Sequence, residues 1–248
     1  MFASKKIITI LFVSGLLINC SSIEEISKRP IGLINNVSYY DAEFNNSNAS
    51  NGFLIQFKNN NYAITAKHIL MIAKTDKMKF VDFEDDLKQW KMHPKNDSTQ
   101  YVVLDKLLSV NRKDSLTWNY MNENWDTYND WLVFSIKENK SKYKPLTVRK
   151  KPLVKEEDLY VFGWSYEDTI GPQRMYEYKF DEVDGNYYNL KQIKGPKSLG
   201  GLSGSPVVDK KGRVVGLVSS GWEDEKTKDT FIQVTSMKNT ITFISNLD

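Results

Sequence analysis

Short apolar runs recur along most of this chain, each closed within a few residues by Gly, Asn, Asp or Lys, and a sequence with that rhythm buries its apolar side chains as β-strands. Strand-like runs are expected at 53–58, 62–65, 79–83, 101–110 and 131–136. A second series is expected at 159–163, 175–183, 186–193, 205–208, 213–219 and 230–234. Asn59-Asn60, Asp184-Gly185 and Lys211-Gly212 stand where hairpin turns belong, because Asn and Gly tolerate the backbone angles of tight turns. A helical period is almost absent until the end of the chain. There Ser236, a capping hydroxyl, precedes Met237, Ile241, Ile244 and Leu247, which fall along one helix face. The fold class is therefore all-β, a barrel or a sandwich, with a C-terminal helix. The chain has 248 residues, 40% of them hydrophobic, enough for one large or two small cores.

The chemistry is concentrated in Gly200-Gly201-Leu202-Ser203-Gly204-Ser205-Pro206. A serine flanked by glycines and followed by a β-branched run is mounted on a tight turn before a strand, where backbone N–H groups converge on one small space. Alone, such a stretch is most often a plain loop. Two partners lie upstream. His68 follows the apolar run 62–66, and Asp130 heads the apolar run 131–136. Each alone has an ordinary structural reading, a semi-buried histidine and a turn aspartate. In the order His, Asp, Ser they match the chymotrypsin-type arrangement and not that of subtilisin or the α/β-hydrolases. Ser205 is a minor rival for the nucleophile, but Pro206 follows it and the glycine flanks favour Ser203.

On these residues the layout of roughly residues 50–245 resembles the trypsin/chymotrypsin-like serine proteases, especially their shorter bacterial branch of glutamyl endopeptidases and Htr-type proteases. A fourth block, Gly216-Leu217-Val218-Ser219-Ser220-Gly221, is similar to the family's substrate-binding strand. The resemblance implies two six-stranded antiparallel barrels, residues 36–148 carrying His68 and Asp130, and residues 149–248 carrying Ser203 and the terminal helix. The residue types give the roles: Ser203 as nucleophile, His68 as general base and acid, Asp130 orienting the imidazole, and the N–H groups of Gly201 and Ser203 as oxyanion hole. By resemblance, Ser219 supports Asp130, Ser219, Ser220 and Gly221 pair with an extended polypeptide substrate, and Lys197, Ser198 and Val218 belong to the side-chain pocket. Glutamyl endopeptidases have a histidine where Val218 stands, which weakens a glutamate-specific reading. Leu202 stands where trypsin-like zymogens have an aspartate that captures a new α-amino group, so activation by that switch is not expected. The alternative function is a catalytically inactive protease fold kept as a surface binding module.

Residues 84–129 form a long polar and aromatic stretch with Trp90, Trp118 and Trp125, read as barrel strands and loops more readily than as an insertion over the cleft. His93, before Pro94, reads as a surface loop residue. No cofactor or metal is expected: one cysteine and two distant histidines do not make a zinc site. Lys5 and Lys6 precede an apolar run, 7–18, that ends at Cys20, the chain's one cysteine. This resembles a bacterial lipoprotein signal, with residues 1–19 a signal peptide, Cys20 the lipidated residue, and 20–35 a tether to a cell-envelope membrane; the alternative is a secreted protein cleaved elsewhere. Removal of Lys5 and Lys6 leaves 34 − 2 = 32 basic against 31 acidic residues, and that balance gives no electrostatic case for nucleic acid as a partner. Mean hydropathy is −0.49, which excludes a polytopic membrane protein.

Overall fold

The computed structural model describes residues 23–83, 85–116 and 129–247. In chain order the first strands are β1 (Leu33–Tyr39), β2 (Asn51–Phe57), β3 (Asn60–Thr65), β4 (Phe80–Val81), β5 (Leu87–His93), β6 (Val102–Leu107), β7 (Asn111–Ser115), β8 (Leu132–Asn139) and β9 (Leu146–Thr147). Six of them close a ring in the order β1-β5-β6-β8-β3-β2, sealed where Leu33 pairs with Gly52 and Ile34 with Asn51. β9 lies parallel to β2 outside that ring, and β4 and β7 form a separate ribbon. The second set is β10 (Asp158–Gly163), β11 (Arg174–Asp184), β12 (Tyr187–Lys194), β13 (Pro206–Asp209), β14 (Val214–Glu223) and β15 (Thr230–Ser236). It closes as β10-β11-β12-β15-β14-β13. Numbered within its own barrel, each ring runs 1-4-5-6-3-2, so the two halves share a topology that no sequence repeat announces.

Burial alternates with period 2 along the middle of β11, as a ring with an apolar inner face requires, whereas β2, β3, β13 and the first half of β14 are buried on consecutive residues. In the first barrel Trp90 packs between Phe83 and Phe134, with ring centroids 5.4 and 4.9 Å away. The second core is smaller and gathers Leu159, Val161, Leu190, Leu202, Val218 and Ile232. The helix α2 (Met237–Ser245) is capped by the Ser236 hydroxyl, which accepts from the Lys238 N–H. It lies back on the first barrel: Phe243 packs on Trp131 at 5.2 Å between centroids, and the Asn239 amide donates to Asn129 at 3.0 Å. Met237 and Ile244 are buried as their spacing requires, whereas Leu247 falls beyond the helix and is exposed.

Several expectations need correction. The first hairpin turns at Lys58-Asn59, one residue earlier than expected, because Phe57 pairs with Asn60 and Lys58 takes the positive φ of 51°. Residues 23–35, expected as a tether, are built into the body. The short helix α1 (Ile23–Ser27) buries Ile26, and Ile31, Leu33 and Ile34 are buried as the chain enters β1. The Gln173 carboxamide holds the approach, accepting from the Ile31 and Gly32 N–H groups at 2.8 and 2.9 Å. The stretch 84–129 supplies two barrel strands, β5 and β6, with Trp90 of β5 buried against Phe134 of β8. His93 is no surface loop residue: it ends β5, buried, its Nε2 3.3 Å from the Asn36 amide and its Nδ1 2.7 Å from the Pro94 carbonyl. Trp118 and Trp125 lie outside the described residues, as do Cys20 and the signal segment.

Candidate active site

β3 and β8 are neighbours in the first ring, with Thr65 opposite Leu132. That pairing puts the residues just beyond one end of each strand side by side: His68, in a 3-10 turn (Lys67–Met71) after β3, and Asp130, just before β8. Ser203 comes from the loop between β12 and β13 of the second barrel. Its carbonyl is held against the first barrel by the Asn51 N–H at 3.0 Å.

The side chains form one unbroken chain of hydrogen bonds. Asp130 Oδ1 accepts from the His68 backbone N–H at 2.9 Å, and Oδ2 accepts from His68 Nδ1–H at 2.7 Å and from the Ser219 hydroxyl. A carboxylate offers acceptors alone, so Nδ1 carries the ring proton and Nε2 is left as a base. The Ser203 hydroxyl donates to Nε2 at 2.7 Å. The Asp130 side chain is 3% exposed and that of His68 is 26% exposed, so the charge is shielded while the imidazole edge meets solvent. Burial pushes the Asp130 carboxyl up, but the neighbouring imidazole and three hydrogen bonds reverse this and hold it below the ordinary carboxylate range. Burial works to lower the His68 pKa, and the Asp130 charge and hydrogen bond outweigh it, so the imidazole titrates above its ordinary value.

The nucleophile loop is oriented by its carbonyls. The Tyr166 N–H donates to the Gly200 carbonyl at 2.8 Å, and because a trans peptide sets C=O and N–H on opposite sides, the Gly201 N–H points away from Tyr166. The Ser205 N–H donates to the Leu202 carbonyl at 2.9 Å, which turns the Ser203 N–H away in the same manner. Neither N–H has a protein acceptor among the described residues. Gly201 has φ +90°, and a Cβ there would stand 2.7 Å from the Tyr166 nitrogen, so glycine is required.

The other expected residues are placed as follows. Ser219 touches Asp130. Ser220 and Gly221 are exposed on the outer part of β14, where pairing with β13 has ended at Leu217. Among the described residues no strand pairs with that edge of β14 beyond Leu217. Val218 is buried in the second core, its carbonyl accepting from the Gly204 N–H at 2.8 Å. Lys197 is an exposed loop lysine, and the Ser198 hydroxyl accepts from the Gly200 N–H at 3.4 Å. Leu202 is fully buried in the second core. The Ser205 hydroxyl is buried away from His68, which leaves Ser203 as the hydroxyl on Nε2. Sequence reading missed Ser50 and Asn51, which reach the nucleophile loop from the first barrel. They sit in an Asn- and Ser-rich stretch that reads as ordinary loop.

Comparison with known proteins places this geometry. The model of the trypsin-like peptidase domain matches residues 50–217, and the chain belongs to that family, serine endopeptidases by class. Comparison with curated protein sequences finds no match. Among solved structures, the fold is similar to the active form of the Rv3671c protease of M. tuberculosis: TM-score 0.55, 13% identity, covering 98% of this chain and 92% of that one. It is similar also to the serine endoprotease of Yersinia pestis (TM-score 0.57, 12% identity, covering 92% of this chain and 66% of that one). A Glu endopeptidase gives a TM-score of 0.54 at 13% identity, covering 86% of this chain and 89% of that one. At such identities the likeness is one of fold.

Proposed function

We propose that this protein hydrolyses peptide bonds within polypeptides through an acyl-enzyme on Ser203. The observation that carries the reading is the continuous line from Asp130 Oδ2 through His68 to Ser203 Oγ, at 2.7 Å on each side of the imidazole. A serine hydroxyl is a poor nucleophile at neutral pH, and a base within hydrogen-bond reach is what changes that. As Ser203 Oγ bonds to the scissile carbonyl carbon, its proton passes to His68 Nε2 and the carbonyl oxygen gains the negative charge. Asp130 balances the imidazolium. The Gly201 and Ser203 N–H groups receive the oxyanion, each worth about 3 kcal/mol in the transition state. Collapse expels the amine, which takes the proton from Nε2. Water then repeats the sequence on the acyl ester, His68 again taking and returning the proton, and frees the acid and Ser203. The edge of β14 from Ser219 to Gly221, unpaired among the described residues, supports binding of substrate as an added strand. An intact line of hydrogen bonds favours this reading over an inactive binding module. Casein hydrolysis by the wild type, abolished in Ser203→Ala and His68→Ala variants that retain their circular dichroism, is the expected result; undiminished hydrolysis by Ser203→Ala overturns it.

The proposed anchor is Cys20, lipidated after signal cleavage and holding the enzyme to a bacterial envelope membrane. Ser21 and Ser22 alone separate Cys20 from α1, which is packed on the body, so the barrels would sit close to the bilayer. The wild type is expected in the detergent phase on Triton X-114 partition and the Cys20→Ala variant in the aqueous phase; equal partition of both refutes the anchor.

A further inference from the structure

The hole-forming shape of the nucleophile loop needs a cause, since Leu202 provides no carboxylate to pin it to a buried ammonium. Gly201 sits at φ +90°, and a glycine there is free to rotate unless its two peptides are held. What grips it comes from the other barrel. The Asn51 carboxamide N–H donates to the Gly201 carbonyl at 2.5 Å and to the Trp164 carbonyl at 2.9 Å, while its Oδ1 accepts from the Trp164 N–H at 3.2 Å. The Ser50 hydroxyl lies 2.9 Å from both the Gly201 and the Ser203 carbonyls, and the Asn51 N–H holds the Ser203 carbonyl from the same side.

Behind these two residues stands a buried polar network that ends in the first core. Asn35 donates to the carbonyls of Ala49 and Asn51 at 3.0 and 2.9 Å, Thr65 donates to the Asn51 carbonyl at 2.6 Å, and the Trp90 indole donates to Asn35 Oδ1 at 2.9 Å. Ser50, Asn51, Asn35, Thr65 and Trp90 are all buried, so each bond is formed away from competing water. The loop lies directly on this platform: a Cβ on Gly204 would stand 2.2 Å from the Asn51 carbonyl oxygen.

The structure assigns Asn51 and Ser50 as positioning residues of the oxyanion hole, a clamp from the first barrel that fixes the Gly201 and Ser203 carbonyls, in the peptides that follow the two hole N–H groups, while Tyr166 and Ser205 fix the carbonyls that precede them. Tyr166 holds the peptide before Gly201 and Asn51 the peptide after it, so the glycine has no free rotation left. Without Asn51, the peptide after Gly201 keeps only the Ser50 hydroxyl on its carbonyl and the Leu199 carbonyl on its N–H, and the hole-forming arrangement at Gly201 becomes the minor one. The inference rests on Ser203 being the nucleophile and deepens that reading. It assigns to an inter-barrel contact the ordering that trypsin-like zymogens obtain from a new amino terminus.

The test uses Asn51→Ala, Asn51→Asp (same shape, no donors) and Ser50→Ala in the mature chain, with p-nitrophenyl acetate as substrate, thermal melting, and crystal structures of the variants. Each Asn51 variant is expected to lose at least about tenfold in kcat, towards the hundredfold of a fully lost oxyanion donor, with KM within about twofold. Ser50→Ala is expected to lose about fivefold, as for one shared hydrogen bond, and it keeps the measurement available if the Asn51 variants do not fold. The crystal structures are expected to show the Gly201 N–H turned from its wild-type direction. Wild-type kcat per folded molecule with a lower melting temperature, or an unmoved Gly201 N–H, overturns the clamp. If the wild type itself fails to label with a fluorophosphonate at Ser203, the nucleophile reading falls, and the crystal structures alone decide the clamp.

Discussion

Replacing Asp130 with asparagine keeps the shape of the side chain, removes its charge and converts one acceptor into a donor. The native carboxylate accepts from the His68 N–H through Oδ1 and from Nδ1–H and the Ser219 hydroxyl through Oδ2. A carboxamide has one oxygen to serve both sides. With that oxygen on the backbone N–H, its NH2 faces Nδ1, the ring proton moves to Nε2, and Ser203 meets a donor where it needs a base. With the oxygen on Nδ1, the NH2 is driven against the His68 N–H and a buried donor is left unsatisfied, at about 2 kcal/mol. In either state the imidazolium loses a charged partner, worth about 3 kcal/mol. The sum, about 5 kcal/mol, corresponds to roughly 5,000-fold in kcat. The pH profile gives an independent reading. The active form of His68 is the neutral one, so kcat/KM rises with pH through its pKa. Burial alone lowers that pKa and Asp130 raises it above the ordinary value. Asp130→Asn therefore moves the rising limb to lower pH, and the ratio of wild type to variant is smallest on the acid side. Steady-state hydrolysis of p-nitrophenyl acetate between about pH 5 and 9 measures both. A loss under about tenfold in kcat, or a limb that stays or moves upward, refutes the tautomer argument.

Three further outcomes follow from single contacts. Gly204→Ala places a Cβ 2.2 Å from the Asn51 carbonyl oxygen at φ +76°, and fluorophosphonate labelling of the folded variant is expected to fall at least about tenfold. Trp90→Phe keeps the aromatic packing but strips the donor from buried Asn35, and urea unfolding should show a loss of about 1–3 kcal/mol. Ser236→Ala removes the cap of α2, with an expected cost of about 1 kcal/mol in the same assay and unchanged kcat.

The strands whose apolar residues alternate between turn signals were legible, and so was the helix behind Ser236, because local pattern and final environment agree there. β1 was not legible: Asn35 falls at the end of the expected tether, and Asn36 and Ser38 break up any apolar run. Asn35 is tolerated as the hub of the buried network beneath the nucleophile, and Asn36 and Ser38 because they are only half-buried. β5, with Lys88, Gln89 and Lys91, reads as a polar run; only Trp90, Met92 and His93 are buried. The three residues of the hydrogen-bonded line were legible because their chemistry demands particular side chains beside particular strands. Asn51 and Ser50 were not, since what they do depends on a surface supplied by the second barrel about 150 residues later. The buried N-terminal segment escaped for the same reason: Ile26, Ile31 and Leu33 resemble a spacer until the barrels that cover them are in place.

The most direct measurement of the central claim is the intact mass of the protein after reaction with a fluorophosphonate, followed by mapping of the modified peptide. One adduct is expected, on Ser203, absent from Ser203→Ala and formed far more slowly in His68→Ala. No adduct on folded wild type, or an adduct on Ser205 or another hydroxyl, contradicts that claim.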